Sequence, residues 1–128
     1  MRGYSLNYRD VALYQAFLKA YEECSPEENL YLRAINSPAP SFFASERLAH
    51  RYVVCKEQGL PIPRMLKLNR AKYEEIYSRY QKKRRIYPHL SISDILKKII
   101  YSQAPRFYIE EQCAKLIIKK VHERSRRK

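Results

Sequence analysis

Three sets of residues in this 128-residue chain have chemistry to offer. The first is four adjacent carboxylate pairs: Glu22-Glu23, Glu27-Glu28, Glu74-Glu75 and Glu110-Glu111. Hydrolytic or nuclease chemistry needs carboxylates that converge on a metal ion, and no spacing here draws the pairs together. Three of the four fall in or beside expected first helical turns or on helix faces, where the helix dipole and solvent account for them. Glu22-Glu23, near a helix end, has no partner legible in the sequence. The second set is Cys24, Cys55 and Cys113 with His50, His89 and His122. An odd number of cysteines without metal-ligand spacing reads as free thiols in a reducing compartment. GxGxxG, P-loop, GxSxG and HExxH patterns are absent. With two glycines in the whole chain, a phosphate-cradling loop is hard to build. The expectation is a protein that is not an enzyme, with no cofactor and no metal.

The third set is cationic, and it is unevenly placed. The net charge is +13, yet residues 1–58 hold seven Lys/Arg and seven Asp/Glu. Residues 59–128 hold nineteen basic and six acidic residues, so the later half carries the whole excess. Such asymmetry points to a polyanionic partner. The densest run is "RYQKKRRIYPHL", with Lys82, Lys83, Arg84 and Arg85 adjacent. It is expected to form a basic loop, with Tyr87 beside it as a stacking residue. A second cluster, "KKVHERSRRK", closes the chain with Lys119, Lys120, Arg124, Arg126 and Arg127.

What must position these cations is a repeated pattern. "NSPAPSFFASERLA" at residues 36–49 returns as "YSQAPRFYIEEQCA" at residues 101–114, an offset of 65. Ile35, Phe42, Phe43, Ala49 and Val53 match Ile100, Phe107, Tyr108, Ala114 and Ile118. Upstream the offset becomes 59, where Tyr14, Phe17, Leu18 and Tyr21 match Tyr73, Ile76, Tyr77 and Tyr80. The later copy thus has six extra residues between its first two elements, and they fall in the basic run. Each copy reads as three helices, from the 3.6-residue recurrence of apolar sites. The first helix runs over about 10–23, capped by Asp10, and over about 69–82, capped by Asn69. The second opens at "SPEE" (Ser25) and at "SISD" (Ser91), as capping boxes. The third begins near Ser45 and near Glu110. Pro40 and Pro105 hold the preceding alanine extended and stop the second helix, so that Phe42 and Phe107 turn inward. Gly59 closes the earlier copy in a left-handed conformation.

The fold class expected is therefore all-α: two tandem degenerate tri-helical repeats packed together. Repeat one is residues 1–60 and neutral, and residues 61–68 are a Pro-containing linker. Repeat two is residues 69–123 and basic, followed by a basic tail at 124–128. Three helices with a corner between the last two resemble the helix-turn-helix architecture of many DNA-binding domains. The S-x-A-P-x-F-[FY] box also resembles one in small bacterial proteins of uncharacterised role. The architectural resemblance implies that the third helix of repeat two is the reader, presenting Gln112, Lys115 and Lys119 outward. The functional expectation is non-catalytic nucleic-acid binding, to duplex DNA, by the basic loop, that helix and the tail. Two alternatives stand beside it: an RNA or single-strand binder, and a helical adaptor for an acidic protein partner that docks through repeat one. No signal-like apolar stretch opens the chain and no run approaches a membrane span, so a cytoplasmic protein is expected.

Overall fold

A computed structural model describes residues 7–23 and 29–126. The chain is all-α, with six helices among the described residues: α1 (Tyr8–Glu23), α2 (Leu30–Ile35), α3 (Glu46–Gln58), α4 (Lys67–Ile86), α5 (Ile92–Ile100) and α6 (Glu111–Arg126). No helix among the described residues is long and apolar enough to cross a membrane.

Local chemistry sets most of the ends. The Ser45 side chain accepts from the Leu48 amide to cap α3, and Ser91 accepts from the Asp94 amide to cap α5. Asn29 caps α2 by accepting from Tyr31 and Leu32; the expected cap at Ser25 lies outside the described residues. Asp10 is not the cap of α1. Asn7 is, accepting from the Asp10 amide at 2.9 Å, and Asp10 sits buried in the first turn against Arg9. Asn69 is likewise inside α4, which starts at Lys67 without a side-chain cap. Gly59 ends α3 at φ 69°, a left-handed residue that a Cβ would strain.

The helices gather into two compact units that cut across the boundaries expected from sequence. Unit 1 is residues 1–39 with 105–128, and unit 2 is residues 40–104. Unit 1 therefore packs α1 and α2 with α6, whereas unit 2 packs α4 and α5 with α3. Each first and second helix is completed by the third helix of the other stretch of chain, not by its own. The repeated box explains why. Pro40 and Pro105 do not fold the chain back; they send it onward. After the first corner the Phe42 amide donates to the Ile100 carbonyl at 2.9 Å, within unit 2. After the second the Phe107 amide donates to the Ile35 carbonyl, also at 2.9 Å, within unit 1. Both residues of each bond move by 65 positions between the two. The next residues, Phe43 and Tyr108, both take left-handed φ values, 52° and 58°. An aromatic residue is strained there, at about 1–2 kcal/mol, so the turn is held by its surroundings at both places.

Phe42 and Phe107 are buried, as expected of corner-fillers. In unit 1 Phe107 is joined by the buried Leu13, Ala20, Ile35, Ile118 and Val121; in unit 2 Phe42 is joined by Tyr52, Val53, Ile76, Tyr80, Ile95 and Ile99. Burying one such side chain contributes about 1.5–3 kcal/mol, which units this small need in number.

Candidate nucleic-acid interface

The cations expected in a loop are helical. Lys82, Lys83, Arg84 and Arg85 form the last turn of α4, which runs to Ile86. Positive charge at a helix C-terminus is favourable, so this turn holds its cations partly for its own stability. Arg84 is further committed. Its guanidinium donates to the Tyr80 hydroxyl through Nε and Nη2, and through Nη1 to the carbonyls of Tyr87, Pro88 and Leu90. It also lies over the Tyr80 ring, 5.4 Å from the centroid. Arg84 therefore fastens the six-residue insertion across Tyr80 and seals the end of unit 2.

Lys82 and Arg85 are exposed and make no ion pair among the described residues, while Lys83 is half-buried. Tyr87 is the residue after α4, 40% exposed, with its amide bonded to the Lys83 carbonyl. Reading back along the same face of α4, Gln81, Ser78, Arg70 and Lys67 are exposed too. Lys67, Arg70, Lys82 and Arg85 thus share one stripe about 27 Å long at 1.5 Å per residue. Lys67 was missed from sequence because the helix was expected to begin at Asn69, and Arg70 because it lies outside the dense basic run. The signal was present in their spacing of 3, 15 and 18 residues, which brings all four positions to one side. Lys67 stands in an uncapped first turn with no acidic residue, where a cation opposes the helix dipole. Its own helix gives no reason for it.

Midway along this face Glu74 interrupts the cations, and it is neutralised. Lys56 of α3 lies 3.1 Å from it, and the Tyr52 hydroxyl donates to it. That hydroxyl, then Lys56, holds the Glu74 carboxyl below the usual range, and Arg70 acts in the same direction. Burial, then the bond to Glu74, pushes Tyr52 up to about 12. Tyr73, Tyr77 and Tyr80 pack beside Tyr52, with Tyr77 stacked on Tyr80 and Lys56 over the Tyr52 and Tyr77 rings. Tyr77 and Tyr80 belong to this packed seam, as their alignment with Leu18 and Tyr21 implies.

The remaining candidates lie on α6, in the other unit. Gln112, Lys115, Lys119, Lys120 and Arg126 are exposed and Arg124 is half-buried. Lys115 pairs with Glu111 at 3.6 Å. Lys120 and Arg124 are engaged by other groups. The tail is helical to Arg126, and Arg127 lies outside the described residues. The structure thus separates what sequence grouped as one copy: α4 with its cations in unit 2, α6 with its own in unit 1. It also moves the charge. Unit 2 holds fourteen Lys/Arg against five Asp/Glu, a net +9, and unit 1 holds twelve against eight, a net +4.

No group of His, Cys, Asp and Glu among the described residues is arranged to hold a metal ion. Comparison with protein-family models, with curated proteins and with solved structures finds no match for the chain.

Proposed function

We propose that this chain is a non-catalytic nucleic-acid-binding protein that engages the phosphates of duplex DNA through the exposed face of α4. The observation that carries this reading is the +9 unit with a basic stripe, in which Lys67, Lys82 and Arg85 have no ion-pair partner among the described residues. Cations that neither pack nor pair are free to neutralise phosphates, and each one releases counterions when it does so. Lys119 and Arg126 of α6 offer a second, weaker basic surface on the other unit. No base-reading role is assigned to α6, since the helix after each corner joins the other unit, unlike a helix-turn-helix pair.

The chain is also proposed to descend from a duplicated tri-helical repeat whose copies exchanged third helices. Support comes from the paired Phe42–Ile100 and Phe107–Ile35 bonds and from the matched left-handed residues Phe43 and Tyr108.

Gel shift or anisotropy across a salt series tests the first proposal. With the triple variant Lys67→Ala, Lys82→Ala, Arg85→Ala, the slope of log K against log salt should shrink by about 3, close to one per phosphate contact. An unchanged slope, or no binding to any duplex at low salt, rejects it. Single-stranded DNA or RNA outcompeting duplex, with Tyr87→Ala weakening that binding, would move the assignment to a single-strand binder.

A further inference from the structure

Unit 1 has a feature that phosphate binding does not use. Between α1 and α6 runs an open groove of about 500 Å³. Its floor and walls include Tyr14, Phe17, Leu18 and Tyr21 of α1 and Leu116 and Ile118 of α6. On α1 the spacing is i, i+3, i+4, i+7, the stripe that one helix presents to another. The α6 side spans Lys115 to His122, so both walls are two turns long, about 10 Å. The helices run antiparallel here: Tyr14 meets His122, with hydroxyl and Nδ1 2.9 Å apart, while Phe17 stacks on Tyr31, which lies under Lys115.

The matching positions of α4 show what this seam looks like when it is covered. Tyr21 is 68% exposed, and its counterpart Tyr80 is 1% exposed beneath Arg84 and the inserted residues. Leu18 and Leu116 also stand 42% and 64% exposed on the shoulders of the groove. Apolar side chains on both shoulders of a helix-flanked trough fit a broad cover and not a small enclosed ligand. The charge on the rim selects the cover. Lys115 and Lys119 line the groove one turn apart on α6. Lys119 has no ion pair or hydrogen bond among the described residues. Glu22 and Glu23 follow α1's last apolar position but do not line the groove.

We propose that the α1–α6 groove is a docking site for an amphipathic helix of an acidic protein partner. Leucine- or phenylalanine-type anchors at i, i+3, i+4 and i+7 occupy the trough, and flanking carboxylates meet Lys115 and Lys119. The groove belongs to unit 1 and the α4 stripe to unit 2, so this proposal does not rest on DNA binding.

The test uses the full chain and two fluorescein-labelled peptides of about 16 residues, long enough to hold helix. Both carry Leu at i, i+3, i+4 and i+7; one is flanked by Glu, the other by Lys. Anisotropy should show saturable binding of the Glu peptide and at least about tenfold weaker binding of the Lys peptide. The double variant Leu18→Glu, Leu116→Glu should lose at least about tenfold for the Glu peptide while melting like the parent. Lys119→Glu should shift preference toward the Lys peptide, a gain that a misfolded variant would not show. Absence of saturation at millimolar Glu peptide overturns the proposal, as does equal binding by the double variant. Two other results do the same: saturable binding of a fluorescent alkyl carboxylate where no peptide binds, which assigns the groove to a small amphiphile, and sedimentation of a dimer that Leu116→Glu dissociates, which assigns it to a second copy.

Discussion

The α1–α6 seam of unit 1 and the α3–α4 seam of unit 2 begin from the same pattern and end differently. Both place four apolar positions of a first helix beside a third helix. In unit 2 the seam is filled: Tyr52 enters from α3, Tyr77 stacks on Tyr80, and Lys56 with Glu74 closes the edge. In unit 1 the same positions leave a trough, because Ile117 stands where α3 has Tyr52, and Tyr21 has no counterpart of the Arg84 clasp among the described residues. The lesson is about what closure requires. A packed seam needs large side chains from the third helix and something fastened across its end. Where both are lacking, the same backbone arrangement exposes an apolar surface. The unit whose seam is closed holds the larger charge, and the unit with the open seam is nearer neutral. The proposed division of labour, phosphates for one and a protein helix for the other, follows from this difference.

The largest expected effect concerns which stretches of chain are self-sufficient. Unit 2 is continuous, residues 40–104, with its own three helices and corner. Domains of about this length do fold alone. A fragment 40–104 should give a helical circular-dichroism spectrum and a cooperative melt. The fragment 61–128, which is the later sequence copy with its linker and tail, should be largely unfolded, because α6 then lacks α1 and α2, and α4 with α5 lacks α3. If 61–128 melts cooperatively and 40–104 does not, the exchange of third helices is wrong.

Next in size is a contrast between neighbouring arginines. Arg84→Ala removes the clasp over Tyr80 and leaves the Tyr87–Leu90 carbonyls without their donor. Hydrogen bonds from a charged group contribute about 1.5–3 kcal/mol each when shielded. Since Arg84 is half-exposed, a total loss of about 2–3 kcal/mol in urea unfolding is expected. Arg85→Ala should change stability by no more than about 0.5 kcal/mol. On DNA the order inverts: Arg85→Ala should lower the salt slope by about 1, and Arg84→Ala should leave it near the parent value. Equal effects of the two on both measurements would erase the distinction between structural and free cations.

Much of the local structure was legible. The apolar recurrence, the start of α3 near Ser45, the Ser91 cap, the αL Gly59 and the inward Phe42 and Phe107 all follow from short-range rules. Pairing of the helices was not, because Pro40 and Pro105 specify only that the chain leaves the helix extended. Whether it then folds back or crosses over depends on bonds such as Phe42 to Ile100, made across 58 residues of sequence. Of the candidate site, the basic run was visible but its sorting was not. Nothing in "KKRR" tells Arg84 from Arg85 until the helix phase and the position of Tyr80 are known. The groove was hidden for a similar reason. Tyr14, Phe17, Leu18 and Tyr21 read as core, and they would be core if their partner helix carried what α3 carries.

The smallest effect is a pH signature of the closed seam in unit 2. Tyr52 is neutral in the folded protein and donates to the Glu74 carboxylate, and its ordinary value of 10 is pushed up to about 12. A raised folded-state value means that folding favours the protonated phenol. Its contribution is therefore complete below pH 10 and is lost as pH climbs from there toward about 12. Glu74 works in the opposite sense. Its carboxyl is held below 4.5, so its contribution is complete above that value and is lost as pH falls through the depressed one. Urea unfolding of the parent should thus weaken at both extremes. Tyr52→Phe should flatten the alkaline limb and, by removing the main donor to Glu74, shrink part of the acid limb as well. Lys56 and Arg70 remain beside the carboxylate, so the acid limb should not vanish. In unit 1 the counterpart of Tyr52 is Ile117, so α6 brings no phenol to that place in the seam. Resolved tyrosine titration should find a strongly delayed phenol that Tyr52→Phe abolishes; an alkaline limb left unchanged by that substitution would remove the Tyr52–Glu74 bond from what holds this seam.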